Sequence, residues 1–236
     1  ALTAQRQGAY LRRAAFIWEK ANGRSLELPW QSTGGNFIDF FDASRYYTGP
    51  HWERCRKYRV NFNGIGPYEY CPVVERSATL EQRGDSVLER LAAWATDPAH
   101  QGVLDRVMNW AYLSETRDSY AIESEAPAPD KERAFLLAME QLRDGRPLSE
   151  DYLVDLQNLV ITKPLRQEHA FRHEQNWLQR GGHGALAVRY VPPPPENLET
   201  LMGGFLRMAN ARDGDVPPLV KAALVSFGFV FLHPFM

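Results

Sequence analysis

The chain has 236 residues and a mass of 26.9 kDa, room for one large domain or two small ones. With 44% hydrophobic and 24% charged residues it has globular composition, which argues against disorder. A net charge of −2 excludes a global basic field for nucleic acid or an anionic membrane. The longest apolar run, 222–232, is far short of the roughly 20 residues that span a bilayer. No secretory pattern opens the chain, and Cys55 and Cys71 form no CxxC pair, so a soluble protein of the reducing cytoplasm is expected.

QRQGAYLRRAAFIWEKANG predicts an amphipathic first helix stopped by Gly23. Turn-rich sequence follows, and the aromatic and β-branched segments 58–62 and 68–74 around NGIGP predict a small hairpin. Residues 1–60 carry a net charge of +5 and the remainder −7. From about Asp85 helical spacing takes over, with Val87, Leu88, Leu91 and Trp94 on one face. Asp97 and Pro98 open a helix through Val103 and Met108, Asp130 caps another that ends at Gly145, and Ser149 caps a third. The segments 171–178 and 185–191 then flank RGGHG and predict a β-hairpin. A helix follows the proline run at 192–195, and a last, strongly apolar helix begins after Asp215. The chain closes on FVFLHPFM, an apolar end that predicts a covering partner or further chain.

His233, Pro234 and Phe235, with the variable Met236, resemble the start of the Fic family signature, HPFx(D/E)GNGRxxR. The order upstream agrees: FRHEQNWLQ, a hairpin, a proline run, ENLETLMGGFLRMAN and the apolar helix, from roughly residue 130 onward. SYAIES at 119–124 resembles the family's inhibitory motif, (S/T)xxxE(G/N), with Ser124 in place of the usual Gly or Asn. The resemblance implies a mainly α fold with a β-hairpin flap. A small α+β region over 1–90, of unassigned role, precedes it, then an inhibitory-helix segment over 91–129 and the core over 130–236.

Fic proteins transfer AMP from ATP to a Ser, Thr or Tyr hydroxyl of a target protein. By this resemblance His233 is the general base, a role that suits an imidazole whose pKa lies near working pH. Ser119 and Glu123 are the brake, with Glu123 pairing an arginine of the signature. The Mg²⁺ ligand and the phosphate cradle belong to the part of the signature expected after Met236. Without that part the chain as given is expected to be inactive. The 171–191 hairpin is the expected target-docking element, with Arg172, Gln175, Asn176, Trp177 and Leu178 its contact residues.

Alternation would put Phe171, His173, Gln175 and Trp177 on one strand face and Arg172, Glu174, Asn176 and Leu178 on the other. Two further readings stay open: a non-catalytic module that binds a partner protein along the hairpin edge, and a Fic-fold enzyme that transfers another group or removes AMP. His169 and His173, with His183 nearby, have helical metal-ligand spacing but sit roughly 13 Å apart on a strand, so no metal site is expected. WERCRKYR at 52–59 interleaves cations with aromatics yet reads more simply as a solvated strand face than as a nucleic-acid contact. Self-association is left open.

Overall fold

The computed structural model describes residues 8–27, 36–100, 103, 110–111, 114, 133–134, 137–138, 145–161, 167–179 and 184–235. These residues are mainly helical, with small β elements: α1 (Ala9–Asn22), β1 (Ile38–Asp39), β2 (Glu53–Cys55), β3 (Val60–Phe62), α2 (Ala78–Thr96), α3 (Glu150–Val160), β4 (Leu178–Gln179), β5 (Val188–Tyr190), α4 (Pro195–Asn210) and α5 (Pro218–Leu232). The contacts divide the chain into two units, one of Ala1–Glu81 with Asn197–Leu232, the other of Gln82–Glu196 with His233–Met236.

In the first unit α1 ends where Gly23 enters the left-handed region at φ 62 and its N–H closes on Glu19 O. Three strands follow in the order β1-β3-β2, β3 pairing parallel with β1 and antiparallel with β2. The predicted hairpin around NGIGP is therefore replaced. Segment 68–74 forms no strand, and β3 turns back on β2 through residues 56–59 instead. Phe41 supplies the reason: Asn63 Oδ1 accepts its N–H at 2.8 Å and Asn63 Nδ2 donates to its carbonyl at 3.0 Å. That clamp turns the chain after β3 away from a partner strand. Val60 and Phe62 point inward with Ala15, Phe16 and Tyr58.

Arg12, buried in α1, fastens the turn that precedes β3. Its Nε donates to Tyr58 O at 2.7 Å, and its Nη2 donates to Asn36 O and Arg59 O. Glu19 does the same for the other side. Burial works against its charge, but hydrogen bonds from Lys57, from Tyr58 Oη at 2.6 Å and from the Leu26 N–H outweigh that and lower its pKa to about 2. A carboxyl lowered on folding binds fewer protons in the native state than in the unfolded one. Its contribution is complete above about 4.5 and is lost as pH falls from there towards 2. Glu19→Gln is expected to flatten the acid limb of the unfolding free energy over that window, measured by urea titration at several pH values. An unchanged limb would refute this account of Glu19.

The helices α4 and α5 pack into the same unit through small residues. Tyr70 meets Phe205 edge-on, ring centroids 5.6 Å apart. A Cβ at Gly228 would lie 2.3 Å from Tyr70 Oη and 2.9 Å from the Phe205 ring, so only glycine permits this approach. Gly228→Ala is expected to cost about 1–3 kcal/mol by overpacking, and Tyr70→Phe in the same chain to recover part of it. Chemical denaturation of the single and double variants checks this; a neutral Gly228→Ala would refute it. Asp215 ties the loop between these helices to Thr48, accepting its N–H at 2.6 Å and returning its own to Thr48 O at 3.1 Å.

α2 begins at Ala78, still within the first unit and earlier than the Asp85 expected. Ser77 Oγ accepts the Leu80 N–H at 3.2 Å and so starts the helix sooner. Pro98 starts a short 3-10 turn to His100, with Asp97 Oδ1 accepting the Ala99 N–H. The expected helices through Val103 and Met108 and from Asp130 fall largely outside the described residues. Ser149 caps α3, its Oγ accepting from the Tyr152 N–H at 3.2 Å. β4 and β5 pair antiparallel, but the hairpin is much shorter than predicted. Residues 171–177 form no strand and 185–187 form a 3-10 turn, because 171–177 spend their hydrogen bonds elsewhere.

Candidate active site around His233

Pro234 disfavours the α region for the residue before it, and α5 stops at Leu232. His233 takes a left-handed conformation at φ 44, uncommon for a residue with a side chain and costing roughly 1–2 kcal/mol. Such a conformation persists only where the surroundings fix it. Here segment 171–176 does so. The Arg172 N–H donates to Pro234 O at 2.7 Å while Arg172 Nε donates to His233 O at 2.9 Å. Asn176 Nδ2 donates to Phe235 O at 2.9 Å, so three successive carbonyls are held from one segment.

The holding segment is itself anchored. Arg172 is 3% exposed, and its Nη1 and Nη2 donate to Glu174 O and Pro193 O. Glu150, in the first turn of α3, accepts the Phe171 N–H at 2.8 Å. The Phe171 and Phe235 rings pack with centroids 5.8 Å apart. Gln175 Nε2 reaches Pro192 O, which ties the segment to the proline run that opens α4. All of these residues lie within the second unit.

Burial lowers the pKa of the half-buried His233 imidazole, and the Arg172 cation lowers it further. A lowered value keeps the ring neutral at neutral pH, the form that accepts a proton. The main-chain and imidazole groups of residues 233–235 include no carboxylate. They do not by themselves form the oxygen cage Mg²⁺ requires, and among the described residues no group of three or more His, Cys, Asp or Glu could hold a metal.

Of the other residues singled out, Trp177 and Leu178 are exposed at and beside β4, with Trp177 Nε1 3.4 Å from Gln179 Oε1. Arg172 and Asn176 are instead turned inward on the His-Pro-Phe backbone. Ser119, Glu123 and His183 lie outside the described residues. Sequence reasoning missed Glu150 altogether. A glutamate in the first turn of a helix is ordinary, and nothing local marks it as the acceptor for an N–H 21 residues away.

The protein is mainly α, and its last helix ends in a His-Pro-Phe corner where a left-handed histidine is held by a buried arginine. The model of the Fic/DOC family matches residues 147–236, so that stretch, which contains every residue of the site, is Fic domain sequence. Members of this family generally transfer a nucleotide or another group to proteins. No curated protein and no solved structure matches the chain. No described helix is long and apolar enough to cross a membrane.

Proposed function

We propose that the chain is a Fic-type adenylyltransferase acting in the cytoplasm, with His233 as general base and Glu123 as its brake. The target hydroxyl oxygen bonds to the α-phosphorus of ATP, the bond to the β-phosphate oxygen breaks, pyrophosphate leaves and His233 Nδ1 or Nε2 takes the hydroxyl proton. The observation that carries this reading is the left-handed His233, its carbonyl held by Arg172, within Fic domain sequence. Mg²⁺ is assigned to the acidic position of the signature. The target chain docks beside β4, where Gln175, Trp177 and Leu178 are exposed and β4 pairs, among the described residues, with β5 alone.

The test uses the natural coding sequence, including whatever flanks residues 1–236, with ATP labelled at the α-phosphate. Wild type should label a target in lysate, Glu123→Gly should label it more strongly, and His233→Ala should not label it. Equal labelling by wild type and His233→Ala would overturn the reading. Labelling from a γ-phosphate label instead would show that another group is transferred.

A further inference from the structure

Among the described residues, two asparagines act as main-chain mimics. Asn63 exchanges both amide bonds with the backbone of Phe41, and Asn158 does the same with Glu168, donating at 2.7 Å and accepting at 2.8 Å. Asn176 makes the donor half of this pattern on Phe235 O, while its buried Oδ1 has no partner among the described residues. A flipped amide would lose the bond to Phe235 O, so that bond fixes the orientation. Arg172 is the companion. Burying a guanidinium is costly unless its N–H groups are satisfied, and Arg172 spends Nε, Nη1 and Nη2 on carbonyls. One of those carbonyls belongs to His233 itself.

We propose that Arg172 and Asn176 are positioning residues for the transfer step, a main-chain clamp that sets the direction in which the His233 imidazole points. The clamp rests on the reading of His233 as the base. It replaces the expected role of these two side chains in docking the target, and leaves that role to Gln175, Trp177 and Leu178. A fork that reaches several carbonyls at once is specific to arginine, since a lysine ammonium is a point charge on a flexible stem. Among the described residues, Arg172 acts on His233 and Tyr190 on Arg172, and the corner also holds Glu150, which accepts the Phe171 N–H, with His173 and Glu174 next to Arg172 in the chain.

The clamp is tested apart from activity by imidazole NMR of the 236-residue protein, with His233 assigned by its loss in His233→Ala. Arg172→Lys is expected to keep the titration midpoint low, because the charge remains, but to move the His233 resonances. Arg172→Met is expected to raise the midpoint, and Asn176→Ala to move the resonances with little change in midpoint. In the labelling assay Arg172→Lys should lower kcat by about 10²-fold with KM within about twofold, as misplacement of a catalytic group does. His233 resonances and kcat unchanged in folded Arg172→Lys would overturn the clamp. Should both Arg172 variants fail to fold, Asn176→Ala decides, and unchanged resonances overturn it. Moved resonances in a protein that labels nothing would leave the clamp standing and remove the transferase reading instead.

Discussion

Replacing His233 with alanine is expected to lower transfer of label from ATP by about 10²–10⁴-fold, the contribution of a positioned general base. The ring ends a helix, sits in a left-handed corner and is neutral because burial and Arg172 both oppose its charging. Its pKa lies below the ordinary histidine value of 6.5. The rate should therefore be flat through neutral pH and fall only as pH drops through that lowered value. The same shift bears on stability. Between the lowered pKa and 6.5 the unfolded chain binds more protons, so folding loses free energy as pH falls through this range. Glu19 begins its own loss only below about 4.5, whereas that of His233 begins below 6.5. A pH–rate profile of wild type, read beside the residual rate of His233→Ala, checks the assignment. A wild-type rate that rises as pH falls below 6.5 would contradict a neutral base.

Phe62→Ala is expected to lower the free energy of unfolding by about 3–5 kcal/mol, read from urea midpoints. Phe62 is 2% exposed and is the hub of the aromatic core, with ring centroids 5.3 Å from Phe40, 5.8 Å from Phe16, 6.0 Å from Phe41 and 6.2 Å from Tyr68. Rings on four sides cannot collapse into the space without breaking other edge contacts, so the cavity term adds to the lost transfer term. Val73→Ala, at a side chain 55% exposed, should stay within about 0.5 kcal/mol and serves as the control. Similar effects for the two variants would contradict the core described here.

Local signals carried the helical part of this protein. Gly23, Ser149 and Pro195 mark helix ends by their own backbone chemistry, and each lies where a helix starts or stops. His233 was legible for the same reason, because a proline acts on the residue directly before it. Residues 68–74 looked like a strand because aromatic and β-branched residues suit any half-buried surface, while a strand needs a partner. Asn63 bonded to Phe41 instead, and only the end of the segment pairs, Val74 O accepting the Tyr47 N–H beside an isolated bridge between Tyr46 and Glu75. Segment 171–178 misled in the same way. Its alternation was real, but Arg172 and Asn176 found carbonyls about 60 residues further on instead of a neighbouring strand.

Apolar spacing, caps and the prolines by themselves placed α1, α3, α4 and α5 and a histidine at the end of the last of them. Only the tertiary structure decided which strands pair, that α4 and α5 pack in one unit with β1, β2 and β3, and that Arg172 donates to the carbonyl of His233. The physical reason is range. Capping and proline sterics act within four residues, whereas a hydrogen bond from a buried guanidinium goes to whichever carbonyl the folded chain brings within 3 Å.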